Sequence, residues 1–194
     1  MSASAYRAGV VSFQLPGGYR LRVLEDSDAE ELYELIDANR RRLARWMAWA
    51  EPQTREQTLE FIRGTHRQLA DNDGFQTAIV DPVRIVGMVG FHAVDWQHRS
   101  TSIGYWLAQG EEGSGTMTQA VSALVDHAFG EWRLNRVEIR VDVENVRSRA
   151  LAERLGFQQE GTLRQAMRLD GGYHDDALYA MLAQDWPVAG PTRG

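Results

Sequence analysis

Between Ile103 and Trp132 the chain changes its hydrophobic period once, across a glycine-rich turn. Ser102 to Leu107 is short, apolar and aromatic, which predicts a strand. Gly110 and Gly113-Ser114-Gly115 follow and predict a tight turn. From Thr116 onward Met117, Val121, Leu124, Val125, Ala128 and Trp132 recur at helical spacing and form one apolar face. A strand that empties through such a turn leaves a helix N-terminus beside the strand's carboxyl end. Free N–H groups point outward there and the helix dipole is positive, so an anion is welcome. Gly113 and Gly115 put no Cβ between that anion and the backbone. The same turn also serves as a plain connection that binds nothing, and this stretch alone leaves both readings open. Two common phosphate binders fail: the turn supplies only Gly113-x-Gly115 of a G-x-G-x-x-G pattern, and no Gly-Lys pair exists for a P-loop.

The remaining chain is long enough for one domain with a real core, at 194 residues and 43% hydrophobic. A net charge of −6 argues against nucleic acid as the main ligand. There are no cysteines, so disulfides, thiolate metal sites and a cysteine nucleophile are excluded, and no metal is expected. No apolar run reaches membrane-spanning length, and the first residues lack a signal-peptide pattern, so the expectation is a cytoplasmic protein that does not engage a membrane.

In order, residues 1–18 read as a loose N-terminal extension ending in Pro16-Gly17-Gly18. Tyr19 to Leu24 alternates as a strand, and Asp26-Ser27-Asp28 offers N-cap chemistry to a helix bearing Leu32, Leu35, Ile36 and Asn39. Arg40-Arg41-Arg42 reads as a solvated face, and Trp46 and Trp49 as sharing one helical face before Pro52. Thr54-x-x-Gln57 is a capping-box signature for a helix to about Ala70. Strands follow at 75–80 and 83–96, then the central strand, the central helix and a strand at 135–142. A helix from Asn145 to Leu155 closes on Gly156. Two last strands flank Gly171-Gly172, and a tail begins at 187. Seven strands with hairpins and one β-α-β passage predict an α/β fold, a mixed sheet with helices on both faces, in a single domain over 19–186.

This order and these residues resemble the GNAT superfamily of acyl-CoA-dependent N-acyltransferases, in its RimJ/RimL-like branch. The pieces that carry the resemblance are Ile103-Gly104-Tyr105-Trp106-Leu107 with Gly113-x-Gly115, and Asn135 through Arg140. Others are Glu144-Asn145 through Ser148 to Leu155-Gly156-Phe157, Glu160 through Arg164, Tyr173-His174-Asp175 and Trp46-x-x-Trp49. The resemblance implies the GNAT fold and acetyl-CoA or another short acyl-CoA as co-substrate. It implies a primary amine as acceptor, a protein or peptide α-amino group being favoured, with direct transfer in a ternary complex. Two alternatives stay open: a non-catalytic acyl-CoA-binding or sensing module, and an acetyltransferase for a small-molecule amine. Oligomeric state is also open, a homodimer among the options.

The resemblance also assigns residues. Pantetheine would pair with the backbone of Trp106, Leu107 and Ala108, with the N–H given to Leu107 polarising the thioester carbonyl. Gly113, Ser114, Gly115, Thr116 and Met117 would cradle the pyrophosphate, although Gly110 stands where the family has Gln or Arg, and Glu111 and Glu112 flank the turn. Ala152 replaces the tyrosine that protonates the thiolate in many members. Ser148 matches the branch's serine instead, with Asn145 beside it holding the pantetheine arm. Ser148 could equally help cap the helix. Arg147, Arg149 and Arg154 are candidate phosphate partners, a solvated helix face being the alternative reading. Trp46, Trp49, His92 and His174 would face the acceptor. The branch's basic glutamate is replaced by Met167, which leaves His92, Glu138, His174 or water to take the amine's proton.

Overall fold

A computed structural model describes residues 11–187. Its elements are β1 (Ser12–Gln14), β2 (Arg20–Val23), α1 (Ala29–Ala44), α2 (Arg55–Ala70), β3 (Gln76–Val80) and β4 (Ile85–Asp95). They continue as β5 (Ser100–Leu107), α3 (Thr116–Gly130), β6 (Arg136–Asp142), α4 (Val146–Arg154), β7 (Gln158–Leu169) and β8 (Gly172–Leu182). The sheet order is β1-β2-β3-β4-β5-β6-β8-β7. Every neighbouring pair is antiparallel except β5 with β6. The sheet therefore has one more strand than expected. Ser12–Gln14, read from sequence as part of a loose start, pair with Arg20–Arg22 as an edge strand. Residues 1–10 and 188–194 lie outside the described residues.

Strand alternation divides the core in two. Ile79, Val89, Ile103, Leu107, Val137, Ile139 and Tyr179 pack with Met117, Val121, Leu124 and Val125 of α3 and Leu151 of α4. Ala78, Val80, Met88 and Trp106 pack with Leu32, Ile36 and Leu43 of α1 and Ile62 of α2. Helices thus cover both faces. Each buried leucine or isoleucine contributes about 1.5–3 kcal/mol relative to exposure.

Local signals place most helix ends. Thr54 Oγ1 accepts from the Gln57 N–H at 3.2 Å, and Gln57 Oε1 accepts from the Thr54 N–H at 3.0 Å, closing the capping box. α1 stops at Ala44, so Trp46 and Trp49 lie in turns rather than on a helix face. The cause is Arg40. Its guanidinium donates to the carbonyls of Ala50, Glu51 and Gln53 and folds that segment back onto α1. The arginine run is therefore structural at Arg40, not only solvated.

Candidate active site

The central feature is a gap in the sheet. β5 and β6 pair only from Ser100↔Arg136 to Ser102↔Glu138. Beyond that β5 stays with β4 as far as Leu107↔Gly87, and β6 stays with β8 as far as Asp142↔Asp176. The two strands part, and the backbone between them is left without a ladder partner. An extended ligand that brings its own amides suits such an edge. The Ala108 N–H donates to the Val86 carbonyl at 2.8 Å. In an antiparallel ladder that turns Trp106 and Ala108 toward β4 and leaves the N–H of Tyr105 and Leu107 facing the gap. Of the three backbone positions expected from sequence, only Leu107 thus offers its N–H to the cleft. Its carbonyl is taken by the Arg42 guanidinium.

At the top of the gap the turn opens. Gly113 and Gly115 have φ of +85° and +83°, a region that glycine adopts freely. A Cβ built on either would meet nothing within 4 Å. Gly115 is the N-cap of α3 and brings no side chain to it, and the Thr116 N–H is met only by Ser114 Oγ at 3.4 Å. Thr116 Oγ1 bonds Ser114 Oγ at 2.9 Å, and the Met117 side chain is buried in the core, so Met117 offers only its backbone. A helix start with so little side-chain capping, under an open glycine turn, fits a diphosphate. The flanking acids are neutralised: Glu111 pairs with Arg84 at 3.1 Å, and Glu112 bridges Arg42 and Arg147. Arg149, expected near a phosphate, instead donates to Tyr179 Oη at 3.1 Å and the Val143 carbonyl at 3.0 Å. Arg147 and Arg154 are the α4 cations that reach the turn and α3, the latter through Thr118 Oγ1 at 3.3 Å.

Below the turn stands Ser148. Asn145 caps α4, its Oδ1 accepting from the Ser148 N–H at 3.2 Å. The serine hydroxyl is therefore free of capping. It bonds the Tyr105 hydroxyl at 2.8 Å across the gap. Burial pushes the Tyr105 phenol up to about 12, so it stays neutral. In the sequence Tyr105 is one residue of the Ile103–Leu107 motif, with no chemical signal of its own. Strand parity places it on the α3–α4 face with Ile103 and Leu107, the one signal that could have singled it out.

The opposite face of β5 carries Trp106, whose ring lies 6.3 Å from that of Trp49. Trp49 is 42% exposed. Trp46 is half-buried and covered by the Arg45 guanidinium. His92 Nδ1 bonds Ser102 Oγ at 2.9 Å on this face, and burial, then the Arg140 charge, push its pKa down. Glu138 is held by Arg136 at 2.9 Å and Arg140 at 3.1 Å. His174 Nδ1 meets the buried Asp142 Oδ2 at 2.7 Å. Met167 lies across from His174 beside a bulge in β7.

Comparison with known proteins agrees with this arrangement. The family model for the "Acetyltransferase (GNAT) domain" matches residues 19–158. YdaF of Bacillus subtilis (strain 168), which carries the name of a ribosomal N-acetyltransferase, is 39% identical over 168 residues, covering 86% of this chain and 92% of YdaF. Among solved structures, RimL, a ribosomal L7/L12 α-N-protein acetyltransferase in complex with coenzyme A, aligns with TM-score 0.85 at 27% identity. That alignment covers 88% of this chain and 97% of RimL. The microcin C7 self-immunity acetyltransferase MccE, in complex with acetyl-CoA and AMP, aligns with TM-score 0.81 at 29% identity, over 86% of this chain and 93% of MccE. The chain belongs to the GNAT acetyltransferase family and is an acetyl-CoA-dependent N-acetyltransferase of the RimL/RimJ-like kind.

Proposed function

We propose that the acceptor is the α-amino group of a protein or peptide, and that the acetyl group passes to it directly within a ternary complex. The observation that carries this reading is the Ser148–Tyr105 pair, set across the parted strands below the open glycine turn. The chain has no cysteine to carry an acyl group, which favours direct transfer. RimL, named for α-N-acetylation of a ribosomal protein, shares the fold over nearly its whole length.

The steps follow from the residues. The turn and the start of α3 hold the diphosphate, and the gap-facing backbone of β5 holds the extended arm. The Leu107 N–H polarises the thioester carbonyl. The amine approaches from the face of Trp106 and Trp49. The Ser148 hydroxyl gives a proton to the departing thiolate, near the positive N-terminus of α4. A thiol-release assay tests the reading with free N-terminal peptides, N-terminally blocked peptides and small polyamines. Turnover confined to polyamines would overturn the choice of acceptor.

Two variants probe the two ends of the site. Gly115→Ala places a methyl group on the open side of the turn and strains the backbone by about 1–3 kcal/mol. Calorimetry should find CoA affinity lowered by about tenfold or more, in a protein that still melts cooperatively. Unchanged affinity would remove the turn from the site. Trp49→Ala should raise the acceptor KM while leaving the acetyl-CoA KM near its starting value. Equal changes in both, with a lower Tm, would mean that Trp49 only packs against Trp106.

A further inference from the structure

Asp176 is a carboxylate that the steps above leave unused. It pairs in register with Asp142 across β8 and β6, is only 5% exposed, and its Oδ1 has no hydrogen-bond partner among the described residues. An ionised carboxylate so placed is costly unless a cation or donor comes to it. No neighbour donates a hydrogen bond to that oxygen. Asp142 has the same sign and is engaged by the Glu144 N–H and by His174. On its own strand Asp175 accepts from the Gln165 N–H. Arg140 of β6 is drawn to Glu138. On β7 the residue in register is Leu163. Burial first, then the Asp142 charge, hold the Asp176 carboxyl above the ordinary carboxylate range, with Arg140 and His174 pulling the other way.

The location is the acceptor side of the gap. Ala177, Tyr179 and Met181 belong to the α3–α4 core, so alternation turns Asp176 and His174 to the opposite face, that of Trp106. Ser102 pairs with Glu138 in parallel register. Counting forward on both strands puts Asp142 level with Trp106, where β5 and β6 have already parted. On that face Asp142 borders the gap and Asp176 lies one strand behind it. The cation that the acetyl-transfer reaction itself brings to this face is the ammonium form of the acceptor amine.

We propose that Asp176 receives the ammonium group of the acceptor and takes its proton before acyl transfer. The inference rests on the acetyl transfer proposed above and names the group that prepares the amine. An N–H bond of the ammonium breaks and an O–H bond forms on Asp176. The freed lone pair attacks the thioester carbon, the C–S bond breaks, and the thiolate takes the Ser148 proton. The second proton leaving the acylated nitrogen restores Ser148, and Asp176 releases its proton to solvent.

The test is Asp176→Asn in the full chain, because the amide keeps the shape and loses the basicity. Two peptides with N-terminal serine, differing in α-amine pKa through the second residue, serve as acceptors in the thiol-release assay. In the wild type kcat/KM should rise as a carboxyl ionises in the acid range, then fall as the free peptide loses its ammonium charge. In the variant kcat/KM at neutral pH should drop by about 10²- to 10⁴-fold, and its profile should instead rise with the acceptor's own titration. Calorimetry should find unchanged CoA affinity, and about tenfold weaker binding of the free-amine peptide to the CoA complex. A variant with wild-type kcat/KM, profile and peptide affinity would overturn the role of Asp176 while acetyl transfer stands. A wild type that releases no thiol with any amine, alongside a variant that still loses peptide affinity, would sink the transfer reading and keep the ammonium site.

Discussion

Ser148→Ala should lower kcat by about 10²- to 10⁴-fold while leaving CoA affinity nearly unchanged. The hydroxyl does its work only as the thiolate departs, so its loss belongs in kcat and kcat/KM together. A rival role in capping would put the loss in stability instead. The geometry separates these. Asn145 already caps α4 through the Ser148 backbone N–H, and the Ser148 side chain turns away to Tyr105. Tm should therefore move by little in Ser148→Ala and fall clearly in Asn145→Ala, since a lost cap costs about 0.5–2 kcal/mol. Tyr105→Phe supplies the second arm. With its phenol held up to about 12 by burial, Tyr105 remains a neutral partner that orients the serine hydroxyl. Its loss should cost kcat less than loss of Ser148, and the double variant should fall no further than Ser148→Ala alone. Single-turnover kinetics with calorimetric CoA titration measures all of these. A Ser148→Ala enzyme with wild-type kcat would remove the serine from the reaction.

The local elements that frame the cleft are legible in the sequence alone, for a physical reason. The period change between Leu107 and Thr116, the capping box at Thr54 and the cap at Asn145 are all written within a few residues of chain. Local pattern is enough to find them. The features that sequence reading missed all depend on distant segments meeting. Ser12–Gln14 become a strand only because β2 offers them an edge. Arg42 matters because the Leu107 carbonyl, 65 residues away, lies within reach. Glu111 and Glu112 look repulsive to a diphosphate until Arg84, Arg42 and Arg147 arrive beside them. Asp176 reads as one more polar residue near a hairpin, and only the pairing of β6 with β8 buries it against Asp142. Arg149 shows the converse. Its sequence position suits a phosphate partner, yet the Tyr179 hydroxyl beneath the sheet claims its guanidinium.

Peptides with a free N-terminus should be acetylated roughly three-hundredfold faster than equivalent lysine side chains at pH 7.5, in kcat/KM. An α-amine has a pKa of about 7.7–8.0 and lysine about 10.4. Near pH 7.5 roughly a third of the first is neutral, against about one in a thousand of the second. Met167 stands where the resembled branch carries a glutamate, so no strong base is supplied from β7. A carboxylate such as Asp176, even with its pKa raised, is a far weaker base than a lysine amine. Handing over the lysine proton therefore costs the same extra free energy whether solvent or Asp176 receives it. The discrimination is thus set by the acceptor and should persist in Asp176→Asn, whose rates fall for both substrates alike. The chain contains no lysine, so self-acylation of lysines adds no background to the measurement. Competition between a free N-terminal peptide and an N-terminally blocked lysine peptide, followed by mass spectrometry from pH 7 to 10, gives the ratio directly. It should shrink as pH climbs toward the lysine pKa. A ratio near one at neutral pH would require a base stronger than any carboxylate in the cleft, and would defeat the assignment of an α-amine acceptor.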